Sequence, residues 1–412
     1  MLGASAMPLA LTLPLRRAIA GALPSRPFGL RFWDGSTLDA DVCGAPEFFV
    51  RTPSAVGHFL RSPGPLGLVR AYVGGDLVVD DLDGAFLVVD DWEPPPIARA
   101  DRVRLLGAAI AANGIGVPRR PSLELILRGP RHSIERDAAA VRYHYDVGNE
   151  FFALFLDDSM TYSCAIFSRG ATTLEEAQRT KLDLVARKLD LKPGQRVLDV
   201  GCGWGSFAIH AAREYGVSVV AITLSEAQAQ LARQRVAEAG LSDRVDIRVA
   251  DYRRCHDGPF DAISSIGMVE HVGESQIDAY AATLASLLAP GGRLLNHGIA
   301  LLRPDDDPLE DEISMRYVFP DGEPLALSRV QLALERAGLE TTHVEGFRAD
   351  YAQTLREWTK RLERDLDAAQ RLAGEERTRM WRLYLRAAGH GFKVGYTSVY
   401  QVQAHDRGAG AG

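Results

Sequence analysis

The chain has 412 residues, 46% hydrophobic, 25% charged and 8% aromatic, which excludes disordered, collagen-like and low-complexity classes and leaves room for two domains or three. Its 47 Lys and Arg against 54 Asp and Glu give a net charge of −7, so the whole molecule is no general nucleic-acid binder. Four cysteines (Cys43, Cys164, Cys202 and Cys255) form no CxxC pair, which argues against a zinc site or disulfide scaffold and for a reducing cytosol.

The apolar start, MLGASAMPLALTLPLRRAIAGALP, is interrupted by Pro8 and Pro14, and Arg16 and Arg17 follow the apolar run instead of preceding it. That is the wrong order for a secretory signal, so a floppy start or an amphipathic surface segment is expected. No uncharged apolar run reaches about 18 residues, and no membrane span is expected. GLRFWDGS (29–36), EFFVRT (47–52), LVRAYVGGDLVVDD (68–81) and GAFLVVDD (84–91) read as strand-like pieces parted by Asp34-Gly35 and Gly74-Gly75. They make a small α+β domain that the prolines of EPPP (93–96) end. A helix near 98–113 and a second breaker, VPRRP (117–121), follow, giving expected domains 1–120 and 121–412. Between 99 and 142 nine arginines face four acidic residues; this is either a solvated linker or a patch for an anionic lipid surface.

From about 172 helices and strands alternate. Thr173 and Glu176 form a capping box, and the helix behind them puts Leu182, Val185 and Leu189 on one face until Pro193-Gly194 stops it. QRVLDVGCGWG (195–205) is a buried strand running into a glycine loop. Strands follow at 217–225, 244–252, 259–272 and 293–300, with helices at 206–216, 226–240 and near 275–289 between them. The alternation implies an α/β fold with a parallel, doubly wound sheet. The loop reads GxGxG instead of the dinucleotide GxGxxG, and Asp199 stands directly before it. A carboxylate there repels a pyrophosphate and suits a cationic amino group, which S-adenosyl-L-methionine carries. A class I methyltransferase is therefore expected; a nicotinamide dehydrogenase fits the loop poorly, and no metal site is expected.

HYDVGNEFFALFLDDSMTYSCAIF (144–167), EAQRTKLDLVARKLDLKPGQRVLDVGCGWGSFA (176–208), AITLSEAQ (221–228), GMVEHVG (267–273), LLNHGIA (294–300), RYVFPDGEPL (316–325) and DYAQTLREW (350–358) resemble, in order, the motifs of the cyclopropane fatty-acyl-phospholipid synthases. The resemblance covers about 144 to 390; the region before 120 is similar to the family's small N-terminal domain in position and size only. It implies that Gly201, Gly203 and Gly205 line the S-adenosylmethionine, with Asp199 at its amino-acid end. Thr223, Leu224 and Gln228 would flank the ribose and methionyl part, Asp251 and Tyr252 the adenine, and Tyr162 and Ser163 the methionine carboxylate. The family's bicarbonate would be held by Cys164, Glu270, His297, the backbone of Ile299 and Tyr351. Phe151, Phe152 and Phe155 read equally as core or as the wall of an acyl tunnel.

An isolated cis double bond is a weak nucleophile, so such a site must hold it against the sulfonium methyl and keep water from the carbocation that follows. Proton loss with ring closure gives a cyclopropane; proton loss without ring closure gives a methylene chain, the precursor of 10-methyl fatty acids. Two departures from the family pattern bear on that choice. Ala388, in RAAGHGFKVGY (386–396), stands where a cysteine is expected, and Asn296 replaces a leucine-like residue before His297. The implied partner is an unsaturated phospholipid in an anionic membrane surface, met from the cytoplasmic side, with no nucleic acid. A homodimer is left open, as is a reductase acting on a methylene product. The rivals are a small-molecule N- or O-methyltransferase and a non-catalytic lipid-binding protein.

Overall fold

The computed structural model describes residues 12–113, 118–125, 129–145, 147–302, 313 and 316–407. The chain divides into two units at Glu124 and Leu125, close to the expected boundary, but Gly374–Ala387, expected in the catalytic domain, belongs to the first unit. Arg379 Nε donates to the Val73 carbonyl at 2.8 Å, and the Glu376 carboxylate accepts from the Ser122 backbone and hydroxyl at 3.0 and 2.7 Å. These partners lie 306 and 254 positions apart, and no local pattern announces such contacts.

In the first unit, strands β1 (Gly29–Phe32), β2 (Thr37–Leu38), β3 (Glu47–Val50) and β4 (Leu77–Val79) form a sheet in the order β2-β1-β3-β4. Two expected strand pieces are helices instead. Pro65–Gly74 is helical because Pro65 sits in its first turn and Gly75 closes it in the left-handed conformation. Leu82–Asp91 is helical because the Asp81 carboxylate accepts from Gly84 N at its start. The helix Thr12–Ala22 buries Leu15 against Phe32, Leu77 and Ala108, so from residue 12 on the start of the chain is part of this core; residues 1–11 lie outside the described residues. The helix Arg99–Asn113 is found where expected.

The second unit is built on β5 (Arg196–Val200), β6 (Ser218–Thr223), β7 (Val245–Val249), β8 (Phe260–Ile266), β9 (Leu288–Leu301), β10 (Leu325–Ala326), β11 (Leu339–Gly346) and β12 (Thr397–Asp406), ordered β11-β12-β9-β8-β5-β6-β7, with β10 beside β9. The pairs from β7 through β9 are parallel, whereas β12 runs antiparallel to both β9 and β11. The expectation of a parallel sheet thus holds for the alternating part and fails at its edge, where Gln401 and Gln403 interrupt the apolar run of β12. Order reverses at β5, which neighbours β6 on one side and β8 on the other; such a switch point opens a crevice at the carboxyl ends of the strands.

The helix Leu174–Lys188 carries the expected capping box, with Thr173 Oγ1 accepting from Glu176 N at 3.2 Å and Glu176 Oε2 accepting from Thr173 N at 3.3 Å. Its buried face holds Leu182 and Val185, but also Gln178 and Lys181. The expected strand 259–272 ends at Ile266; Gly267 turns left-handed and Val269–His271 makes a short helical turn, lifting Glu270 off the strand.

Candidate active site

The crevice at the switch point encloses about 1260 Å³, part of it open to solvent. Its floor is the turn after β5, where Gly201 N and Cys202 N both donate to the Ile222 carbonyl of β6, at 3.0 and 2.9 Å. Gly201 (φ 80°) could carry no side chain, since a Cβ would lie 2.6 Å from Met268 Cγ. Gly203 (φ 55°) faces open space and exposes its backbone to the crevice. Gly205 does not line it: it caps the helix Ser206–Tyr215 left-handedly, with the place of its Cβ 3.3 Å from Ala232 Cβ, so its role here is packing.

Asp199 is 2% exposed; Oδ1 accepts from Ser264 Oγ at 2.7 Å, while Oδ2 is sealed from solvent without a partner among the described residues. Burial pushes its pKa up to about 6. A ligand ammonium would satisfy that oxygen. Thr223 ends β6 at the crevice and Leu224 follows it there, and Thr223 Oγ1 donates to Gln228 Oε1 at 2.8 Å. Asp251 lines the wall with Tyr252, but its carboxylate is already engaged by Arg253, with Nε at 2.8 Å and a terminal nitrogen at 2.6 Å. Arg253 in turn bonds Asp137 at 2.8 Å.

Tyr162 and Ser163 close the crevice from the segment before the helix Leu174–Lys188. Ser163 Oγ accepts from Lys181 Nζ at 2.9 Å, and the Ser163 carbonyl accepts from Gln178 Nε2, also at 2.9 Å. Lys181 is 1% exposed, and burial lowers its pKa to about 8. An ammonium only donates, so the Ser163 hydroxyl keeps its own proton for another acceptor. Sequence reasoning missed Lys181, Tyr145 and Trp204, all of which line the crevice. The signal for Lys181 was legible: a lysine one turn before Val185 on the apolar face of an amphipathic helix.

The remaining predicted residues, Cys164, Glu270, His297, Ile299 and Tyr351, lie off the crevice wall. Glu270 Oε1 accepts from the Ile299 backbone N at 2.7 Å; Oε2 is sealed from solvent and has no partner among the described residues. Loss of water pushes the carboxyl up to about 7. Gly298 makes this contact sterically feasible, because a Cβ there would sit 2.2 Å from Val269 Cγ1. His297, 2% exposed, has Nδ1 3.1 Å from Gln401 Nε2 and a buried Nε2 with no partner among the described residues; burial lowers its pKa to about 3. Cys164 is fully buried, and its thiol donates to the Ala165 carbonyl at 3.3 Å and approaches the Phe347 carbonyl at 3.8 Å. Burial holds it well above the usual thiol range, so it stays protonated. Phe347 N donates to Val399 O, and Val399 pairs with Ile299, which links Cys164 through β12 to Glu270.

Asp350 Oδ1 accepts from Phe167 N and Ser168 N at 2.6 and 2.7 Å, and Thr354 Oγ1 accepts from Ala165 N at 3.0 Å. The helix Arg348–Arg364 is thereby fixed to the Cys164 segment. Tyr351 lies on this helix with its ring 4.5 Å from that of Phe392. Asn296 accepts from the Tyr280 hydroxyl at 3.1 Å, which accounts for a polar residue there. Phe151, Phe152 and Phe155 are fully buried against one another and beside Trp204 and Trp358; they are core, not crevice wall.

Comparison with known proteins gives the chain's family. The family model for mycolic acid cyclopropane synthetase matches residues 132–402. A probable fatty acid methyltransferase of Pseudomonas putida is 39% identical over 383 residues, covering 92% of this chain and 91% of the relative. The tuberculostearic acid methyltransferase of Mycobacterium tuberculosis is 33% identical over 404 residues, covering 94% and 89%. Among solved structures, mycolic acid cyclopropane synthase CmaA1 complexed with SAH and CTAB is 35% identical with a TM-score of 0.62, covering 65% of this chain and 98% of that one.

Proposed function

Since this chain belongs to the mycolic acid cyclopropane synthetase family, and is thus an S-adenosylmethionine-dependent methyltransferase of fatty acids, we propose that it methylates the cis double bond of an unsaturated phospholipid acyl chain and closes it to a cyclopropane. The observation that carries this reading is the pair of sealed, unsatisfied atoms behind the crevice, Glu270 Oε2 and His297 Nε2. A methyl transfer to an amine or hydroxyl needs an accessible nucleophile and a nearby proton acceptor; an alkene also needs a dry place in which a cation survives until it loses a proton.

The π pair of the alkene attacks the sulfonium methyl, the C–S bond breaks toward sulfur, and S-adenosylhomocysteine leaves. The cation then gives up a proton from the new methyl group as the C–H pair closes the ring. Asp199 Oδ2 would hold the donor's ammonium, and the Ser163 hydroxyl, held by Lys181, would face its carboxylate. A small oxyanion that carries an O–H would satisfy both sealed atoms, the Glu270 carboxylate accepting from that O–H and His297 donating, and Cys164, Glu270, His297, Ile299 and Tyr351 would hold bicarbonate in this way. When bound, it would supply a proton acceptor that the protonated Cys164 thiol does not offer.

A second reading ends at a 10-methylene chain. It is favoured by the near full-length match to a relative named tuberculostearic acid methyltransferase. A reductase would then complete a methyl branch.

The lipid would be met at a cytoplasmic, anionic membrane face. Among the described residues no helix is long and apolar enough to cross a membrane. Supporting a peripheral contact, the helix Arg99–Asn113 leaves Val103, Leu106 and Ile110 70%, 52% and 47% exposed. They share one face at spacings of three and four residues, with Arg99, Arg102 and Arg104 exposed beside them. Vesicles of dioleoyl phosphatidylglycerol with S-adenosylmethionine test the chemistry. Release of S-adenosylhomocysteine with high-field cyclopropyl protons supports the ring, retained olefinic protons support the methylene product, and no release refutes both.

A further inference from the structure

His297 reaches the protein's surface through a relay whose hydrogen-bond polarity is fixed by chemistry. Lys188 Nζ donates to Glu345 Oε2 at 2.6 Å and to Gln401 Oε1 at 2.7 Å, and it lies 5.3 Å from the centre of the Phe347 ring. Gln401 is fully buried on β12, opposite His297 on β9. Its Nε2 lies 3.1 Å from His297 Nδ1. A glutamine amide is ordinarily ambiguous, since its oxygen and nitrogen are alike in shape. Here an ammonium, which only donates, demands the oxygen on its own side, so the amide NH2 faces the imidazole. That NH2 also only donates, so Nδ1 must be bare, and a neutral ring then carries its single proton on Nε2. Protonating Nδ1 as well would set N–H against N–H in a buried place next to two lysines, Lys181 and Lys188, whose charges act on this ring. Nε2–H has no acceptor among the described residues.

We propose that Lys188 and Gln401 are positioning residues that lock His297 as its Nε2–H tautomer, so that His297 donates a hydrogen bond to a small bound oxyanion and does not itself remove the substrate's proton. The tautomer follows from this chain's own atoms; only the acceptor's identity rests on the acyl-chain reading above. The relay also explains a polar residue at the centre of β12, where an apolar one would pack without a buried amide to satisfy.

The test uses the full chain labelled with 15N-histidine, its spectrum assigned by loss of one ring in His297→Gln. At neutral pH the wild-type ring should show an unprotonated Nδ1 and a protonated Nε2. Sodium bicarbonate should move the Nε2–H signal and leave Nδ1 bare. Gln401→Glu, whose carboxylate accepts and is paired by Lys188, should reverse the tautomer. It should also lower turnover at least tenfold, as loss of an orienting partner commonly does, with S-adenosylhomocysteine affinity within twofold of wild type. Gln401→Met, which keeps the volume and removes both bonds, should release the ring to a mixture. A wild-type ring protonated on Nδ1, or a Gln401→Glu variant with unchanged tautomer or turnover, overturns the proposal. A bicarbonate-insensitive Nε2–H overturns its oxyanion part. A wild-type enzyme with the stated tautomer and no turnover on lipid overturns the acyl-chain reading and not this one.

Discussion

The two ends of the catalytic unit are built by different means. The donor end takes most of its polar groups from the successive strands and helices between Asp199 and Arg253, with Ser163 and Lys181 added from just upstream, and its crevice opens to solvent. The proposed acyl end would draw Cys164, Glu270, His297 and Tyr351 from segments far apart in the chain, with His297 and Gln401 meeting where β9 and β12 pair, and Glu270 Oε2 and His297 Nε2 are sealed from solvent. Binding a charged, water-soluble donor calls for a glycine turn with the right backbone and a few polar side chains, mostly near it in sequence. Handling a proton beside a cation calls for groups gathered from across the chain and kept dry.

If that division is correct, variants at one end should leave the other intact. Glu270→Gln should produce the largest effect: turnover down by about 10²–10⁴-fold, with S-adenosylhomocysteine affinity by calorimetry unchanged within twofold. The same variant should alter the pH dependence of stability. The Glu270 carboxyl titrates at about 7 in the fold against roughly 4.3 unfolded, so the native state binds the proton more tightly. Its stabilising contribution is complete below the unfolded value and is lost as pH rises through about 7; Glu270→Gln should flatten that fall in a denaturation series.

Asp199→Asn should act at the opposite end, weakening S-adenosylhomocysteine by about 1.5–3 kcal/mol and sparing 5′-methylthioadenosine, which lacks the amino acid. In the wild type the donor's ammonium competes with a proton whose site titrates at about 6. The dissociation constant should therefore climb as pH falls below that value and stay level above it. Equal losses for both ligands would break the assignment.

Gly298→Ala tests whether the two ends meet where Glu270 bonds β9. Its methyl would collide with Val269, so stability should fall by about 1–3 kcal/mol in urea and turnover should fall with it. Thr173→Ala removes half of the capping box beneath Lys181 and Lys188 and should cost about 1 kcal/mol, the smallest effect, with the donor affinity little changed.

The donor end was legible because its signals are local: a glycine loop after a strand, an acid before it, a capping box. The same locality explains the misses. LVRAY and GAFLVVDD have strand-like composition, yet Pro65, Gly75 and Asp81 supply helix ends that a composition reading underweights. Cys164, Glu270 and His297 were named through motif resemblance, since nothing in LLNHGIA alone tells a ligand histidine from a packed one. Gln401 carried no local signal at all; its meaning depends on the register that sets it opposite His297. Gly205 shows the reverse error, a glycine of the loop whose work is helix packing.

The central claim is that a sulfonium methyl reaches an acyl double bond and leaves as part of the chain. Supplying S-adenosylmethionine with a trideuterated methyl to the wild-type protein and dioleoyl phosphatidylglycerol vesicles, then analysing the fatty acids by mass spectrometry, tests it most directly. The account predicts one S-adenosylhomocysteine per modified chain and two of the three deuterons retained on the added carbon. Unlabelled lipid, or a chain that keeps all three deuterons, would contradict it.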